Sequence, residues 1–131
     1  MEGARRKQIL IVEDEEALAR YLKWELESAG FEAQTALLGK AGLQYAAEHQ
    51  VDLVILDLRL PDIHGYQVAQ ELRKLYHPWA VPILMLTALD QPIDQLRGFA
   101  HGAEAYLTKP CESSELLKTV GLLLGEQPIA N

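Results

Sequence analysis

The sequence predicts an α/β protein with a single doubly wound, five-stranded parallel sheet, and three observations carry that expectation. Short apolar, β-branched runs alternate with longer stretches of helical period, in the order (βα)5. Three of the runs are apolar at every position, as strands covered on both faces are. The 131 residues make one domain with a core of ordinary size.

Each element has its own signal. Ile9-Leu10-Ile11-Val12 is a buried strand, and Ala17, Leu18, Tyr21, Leu22, Leu26 and Ala29 then recur at helical spacing. Gly30 follows where a helix end favours a residue that tolerates positive φ. Residues 31–36 read as a second, weaker strand, and residues 39–48, with Ala41, Leu43, Tyr45, Ala46 and Ala47, as a modest helix. Leu53-Val54-Ile55-Leu56 is the strongest strand. Residues 58–65 form a loop marked by Pro61-Asp62 and Gly65. Tyr66, Val68, Ala69, Leu72 and Leu75 make the third helix; Tyr76-His77-Pro78-Trp79 reads as a surface turn with Trp79 packing back. Val81-Pro82 opens the fourth strand, Ile83-Leu84-Met85-Leu86. A weaker helix covers residues 92–101, with Pro92 tolerated in its first turn. Ala105-Tyr106-Leu107 is a short fifth strand. Ser113 or Ser114 is expected to cap a last helix over 115–124, with a stripe of Leu116, Leu117, Val120, Leu123 and Leu124. The expected division is a flexible basic end over 1–7, the folded domain over 8–124, and a tail or the start of a linker over 125–131.

Composition excludes several classes. A lone cysteine, Cys111, cannot form an internal disulfide. No apolar run has the roughly 18–20 residues of a membrane span, and the basic start lacks a signal peptide's apolar stretch, so a cytoplasmic location is expected. A net charge of −7 opposes direct nucleic-acid binding or attachment to an anionic membrane, and favours cations and basic partners.

Right-handed crossovers cover both faces of a parallel sheet only where strand order reverses, and ligands gather at the carboxyl ends of the strands there. Those ends carry a coherent set: Glu13-Asp14-Glu15-Glu16, Asp57, Thr87-Ala88 and Thr108-Lys109-Pro110. Carboxylates brought from two strand ends call for a hard cation such as Mg²⁺, with Mn²⁺ as a substitute. A hydroxyl and an ammonium beside them suit an anion. Together they describe phosphoryl transfer by positioning and charge neutralisation, with an aspartate able to form an acyl phosphate. Taken singly, each residue has an ordinary role: acids at a helix start, a turn aspartate, a strand-end threonine, a solvated lysine.

The segments Ile11-Val12-Glu13-Asp14-Glu15, Leu56-Asp57-Leu58-Arg59-Leu60-Pro61-Asp62-Ile63-His64-Gly65, Leu86-Thr87-Ala88 and Gly102-Ala103-Glu104-Ala105-Tyr106-Leu107-Thr108-Lys109-Pro110 resemble the receiver domain of two-component response regulators, over nearly the whole chain. The resemblance implies strand order 2-1-3-4-5, a flavodoxin-like arrangement. It implies that Asp57 accepts a phosphoryl group from a phosphohistidine on a sensor histidine kinase or histidine phosphotransfer protein. By position, Asp14 and Asp57 would bind Mg²⁺ directly, Glu13 through water, and Arg59 through its backbone carbonyl. Thr87, the backbone N–H of Ala88 and Lys109 would hold the phosphoryl oxygens. Thr87 and Tyr106 would form the switch, with Lys109-Pro110 a cis peptide. A downstream effector domain or protein would read the change.

Departures from the family pattern bear on function. Arg59 is expected to face water, the sharper alternative being control of acyl-phosphate lifetime. Cys111 replaces a common phenylalanine and reads as a small buried filler. Ala105 and the last helix lack the charges of one salt-bridged dimer, leaving a homodimer through the fourth and fifth helices open. Leu89 and Pro92 make the fourth helix's start unusual. Trp24 is expected to be partly exposed, and His49, His64, His77 and His101 show no metal-ligand spacing. Two rival functions remain: an interaction module that takes no phosphate, and an aspartate-based phosphatase. The second commonly has an acid two residues after its nucleophile, where this chain has Arg59. A nucleotide binder would need a glycine-rich loop after the first strand, where four acids stand instead.

Overall fold

The computed structural model describes residues 5–76 and 81–125. The turn expected at His77-Pro78-Trp79, the first four residues and the tail after 125 lie outside the described residues. Ten elements alternate: β1 (Gln8–Val12), α1 (Glu16–Ser28), β2 (Glu32–Ala36), α2 (Gly39–Glu48), β3 (Leu53–Leu56), α3 (Gly65–Leu75), β4 (Ile83–Thr87), α4 (Pro92–Ala100), β5 (Ala105–Thr108) and α5 (Ser113–Leu124). All pairings are parallel, in the order β2-β1-β3-β4-β5.

The three apolar runs became the three central strands because both of their faces are covered. Ile9, Ile11, Leu53, Ile55, Leu84 and Leu86 face one core with Leu22 and Leu26 of α1 and Leu116 and Val120 of α5. The alternate residues Leu10, Val12, Val54, Leu56, Ile83 and Met85 face a second core with Ala46 of α2 and Val68, Ala69 and Leu72 of α3. The period-two pleat thus feeds two helix layers from one sheet. The strand order reverses at β1 and β3, so the first and third strand ends open side by side.

Several local expectations need correction. α5 is not capped by Ser113 or Ser114: it begins at Ser113, with Glu112 at the N-cap in extended geometry and without a side-chain cap hydrogen bond. In α1 the buried residues are Ala19, Leu22 and Leu26, while Tyr21 is 47% exposed. The stripe was wider than the surface available to cover it, and Ala17, Tyr21, Leu86, Cys111 and Leu116 instead line a groove of about 520 Å³. Cys111 is accordingly half-buried, not a fully buried filler, and burial raises its thiol pKa. In α2, Gly39, Gly42 and Ala46 face inward, whereas Ala41 and Ala47 are exposed. A Cβ on Gly42 would stand 2.8 Å from Val12 Cγ2, so glycine sets how closely α2 lies on β1. Trp24 is 64% exposed. Among the described residues, no helix is long and apolar enough to cross a membrane.

Candidate functional site

The sheet ladder runs one residue past three strands and thereby positions the site. The Glu13 N–H donates to the Ala36 carbonyl at 3.0 Å, the Asp57 N–H to Val12 at 3.0 Å, and the Lys109 N–H to Thr87 at 2.9 Å. Val12 pairs with Leu56, so Glu13 and Asp57 leave adjacent strands at the same level. Thr87 pairs with Thr108, which sets Lys109 one step beyond.

Three polar side chains among the described residues are buried, and all belong to this region: Glu13 (2% exposed), Asp57 (5%) and Thr87 (0%). Lys109 Nζ lies 2.7 Å from Glu13 Oε1 and 2.9 Å from Asp57 Oδ2. Glu13 Oε2 accepts the Glu15 N–H at 3.0 Å, and Asp57 Oδ1 accepts the Arg59 N–H at 3.3 Å. Burial lifts the Glu13 carboxyl above its ordinary pKa, although Lys109 and the Glu15 N–H oppose it. Burial pulls the Lys109 ammonium down, but its hydrogen bonds to Glu13 and Asp57 outweigh that and hold it above its ordinary pKa.

Asp14 is exposed at the rim. One carboxylate oxygen each from Glu13, Asp14 and Asp57 fall within 4.8 Å of one another. Like charges 4 Å apart repel by roughly 4 kcal/mol at an effective dielectric near 20. One ammonium cannot offset three carboxylates, so the cluster favours a further cation. Its all-oxygen donor set fits Mg²⁺ or Mn²⁺, which keep several waters and use few protein carboxylates.

The other strand-end residues surround this cluster. Thr87 Oγ1 accepts the Leu89 N–H at 3.4 Å, and the Tyr106 hydroxyl donates to the Leu89 carbonyl at 2.8 Å. Leu89, whose place had no account in the sequence, therefore has its main chain held from both sides. Tyr106 packs under Gly98 of α4, where a Cβ would stand 2.7 Å from Tyr106 Cδ2. Burial, with Asp94 next in influence, pushes the Tyr106 phenol up to about 12. Ala88 is exposed beside Thr87, and the Lys109-Pro110 peptide is cis. Arg59 is exposed, and its guanidinium has no partner among the described residues.

Two residues that support the site carried only ordinary sequence signals. Asp62, read as a turn residue, accepts the Gly39 and Lys40 N–H groups of α2. His64 caps α3, its Nδ1 accepting the Tyr66 N–H at 3.1 Å. Histidine is not among the usual capping residues, Ser, Thr, Asp and Asn, so the local pattern carried no cap signal there. For Asp62 no local pattern exists, because its helix lies 23 positions back.

The sequence matches the family model of the response regulator receiver domain over residues 9–121. It is 43% identical over 117 residues to the DNA-binding dual master transcriptional regulator RpaA of Synechocystis, covering 89% of this chain and 48% of that protein. It is 40% identical over 121 residues to the response regulator ArlR of Staphylococcus aureus, covering 92% of this chain and 54% of that protein. The chain thus spans about half the length of these curated relatives. Among solved structures, a CheY-like receiver domain from Methanospirillum hungatei superposes with a TM-score of 0.86 at 29% identity, over 92% of this chain and 95% of that one. The chemotaxis protein CheY4 of Vibrio cholerae gives 0.86 at 31% identity, over 92% of this chain and 100% of that one. With the strand-end cluster and the family match spanning the same fold, the chain belongs to the response regulator receiver family.

Proposed function

We propose that this domain is a phosphorylation-controlled signalling switch in which Asp57 accepts a phosphoryl group from a phosphohistidine. The observation that carries this reading is the buried Asp57 carboxylate, 2.9 Å from the Lys109 ammonium and grouped with Glu13 and Asp14. A carboxylate oxygen of Asp57 attacks phosphorus; the O–P bond of an acyl phosphate forms as the N–P bond breaks, and the released imidazole takes up a proton. Asp14, Asp57 and the Arg59 carbonyl would hold Mg²⁺, with Glu13 reaching it through a water, and the ion would supply charge neutralisation to the transferring group. Lys109 turns from a structural partner of Asp57 into a partner of the phosphoryl oxygens. Thr87 and the Ala88 N–H hold the others.

The hydrogen bonds around Leu89 support a switch through Thr87 and Tyr106. When Thr87 Oγ1 moves to the phosphoryl group it gives up the Leu89 N–H, and the same main chain carries the Tyr106 hydroxyl. Tyr106 and α4 then repack together, shifting the population toward an active surface. Ile93, Leu96 and Phe99 on α4 are exposed and form part of the surface offered to an effector. The phosphodonor is a sensor histidine kinase or phosphotransfer protein, and the setting is the cytoplasm. An exposed Arg59, where an aspartate-based phosphatase has an acid, supports an acceptor over a turnover enzyme. The test is intact-mass spectrometry after incubation with a small-molecule phosphodonor and Mg²⁺. Addition of one phosphoryl group, abolished in Asp57→Asn, is expected; labelling that persists in the variant rejects Asp57.

A further inference from the structure

Helix α2 has no cap of its own. Its N-cap residue is Leu38, whose side chain has no acceptor. The orphan N–H groups of Gly39 and Lys40 donate instead to Asp62, at 2.9 Å to Oδ1 and 2.8 Å to Oδ2. The Lys40 N–H foremost, with Gly39 assisting, holds the Asp62 carboxyl below its ordinary pKa. Beside it, Ile63 closes over Gly39, where a Cβ would fall 2.6 Å from Ile63 Cγ1.

Asp62 belongs to the loop that leaves Asp57. That loop is closed at its far end by the Gly65 N–H donating to the Leu58 carbonyl at 2.9 Å. Leu58 is buried, and Leu60 and Ile63 rest partly against the core. His64 bonds forward to the next helix, α3, whereas the Asp62 hydrogen bonds tie the loop back to α2. Without that tie the loop would keep its closing hydrogen bond, its apolar contacts and the Arg59 N–H bond to Asp57, but would lose its side-chain link to α2. Local opening would then cost less, and the Arg59 carbonyl would be less narrowly oriented.

We propose that Asp62 is a positioning residue for the cation-dependent acceptor site, tying the loop to the start of α2 so that the Arg59 carbonyl stays beside Asp57. This inference rests on the proposed function, in which that carbonyl and Asp57 are Mg²⁺ ligands. It differs from a purely local role, in which Asp62 merely stabilises α2.

The two roles separate in a Mg²⁺ titration followed by backbone amide NMR shifts, below the melting temperature, on wild type, Asp62→Ala and Asp62→Ala/Leu38→Asp. Leu38 is exposed, so an aspartate there gives α2 a cap of its own without touching the loop. Asp62→Ala is expected to weaken Mg²⁺ affinity about tenfold, the lower end for lost outer-sphere support. The double variant is expected to regain thermal stability while keeping the weakened affinity. Wild-type affinity in Asp62→Ala, or affinity restored by Leu38→Asp, overturns the positioning role while leaving the acceptor-site reading intact. A wild-type chain with no saturable Mg²⁺ response overturns that reading, and this inference with it.

Discussion

Lys109 Nζ sits 2.9 Å from Asp57 Oδ2, so the side chain expected to receive a phosphoryl oxygen already neutralises the carboxylate that would carry it. The same ammonium holds Glu13 at 2.7 Å. Removing it in Lys109→Met leaves two buried carboxylates facing each other. Breaking such a pair costs roughly 3–5 kcal/mol. Urea unfolding in the presence of a chelator should show a loss of about that size, and added Mg²⁺ should recover part of it by supplying the missing charge.

Gly65 closes the acceptor loop at a distance no side chain tolerates. A Cβ there would lie 2.6 Å from Leu58 Cα and 2.8 Å from the Asp57 carbonyl oxygen, both main-chain atoms that cannot swing aside. Gly65→Ala is expected to destabilise the fold by about 1–3 kcal/mol, the usual cost of overpacking. It should also slow phosphorylation by a small-molecule donor, since the strain falls on the main chain of Asp57 and Leu58. Equilibrium denaturation and phosphorylation rates check the two effects separately.

The Tyr106 hydroxyl holds the Leu89 carbonyl at 2.8 Å. Tyr106→Phe keeps the ring under Gly98 and removes that hydrogen bond alone. A stability loss of about 1 kcal/mol is expected by chemical denaturation. Phosphorylation of Asp57 should persist, while the shift changes that it produces in α4 amides should shrink.

Asp62 gives a pH dependence of definite sign. Its folded pKa lies below the ordinary 3.8 because the α2 N–H groups favour the carboxylate. The stability it contributes is therefore whole above the ordinary value and is lost as pH falls below 3.8 through the folded value. The stability advantage of wild type over Asp62→Asn should be constant from neutral pH down to about pH 5 and shrink below about pH 4. Urea titrations of both proteins across that range measure it.

Sequence patterns were most legible where burial is two-sided. β1, β3 and β4 read directly because continuous apolar runs have few other uses, and Glu13, Asp57, Thr87 and Lys109 follow at once as the residues beyond strand ends. The edge strand β2 was weaker, with Glu32, Gln34 and Thr35 exposed, and its start moved by one residue. The cap of α5 was misplaced because Glu112 takes the N-cap by its extended backbone, without the side-chain bond that makes serine a signal. Helical period also could not tell that Tyr21 would line a groove with Cys111, Ser113 and Leu116 instead of joining the core. The Asp62 cap and the shared Leu89 main chain are tertiary facts that no local window contains.

The most direct measurement of the central claim is an NMR titration with Mg²⁺ and beryllofluoride, a mimic of the acyl phosphate, on wild type and Asp57→Asn. Saturable, Mg²⁺-dependent shifts at the amides of residues 57–59, 87–89 and 109 in wild type, absent from Asp57→Asn, are expected. A wild-type spectrum that stays unchanged at those positions would contradict the role of Asp57 as a cation-assisted phosphoryl acceptor.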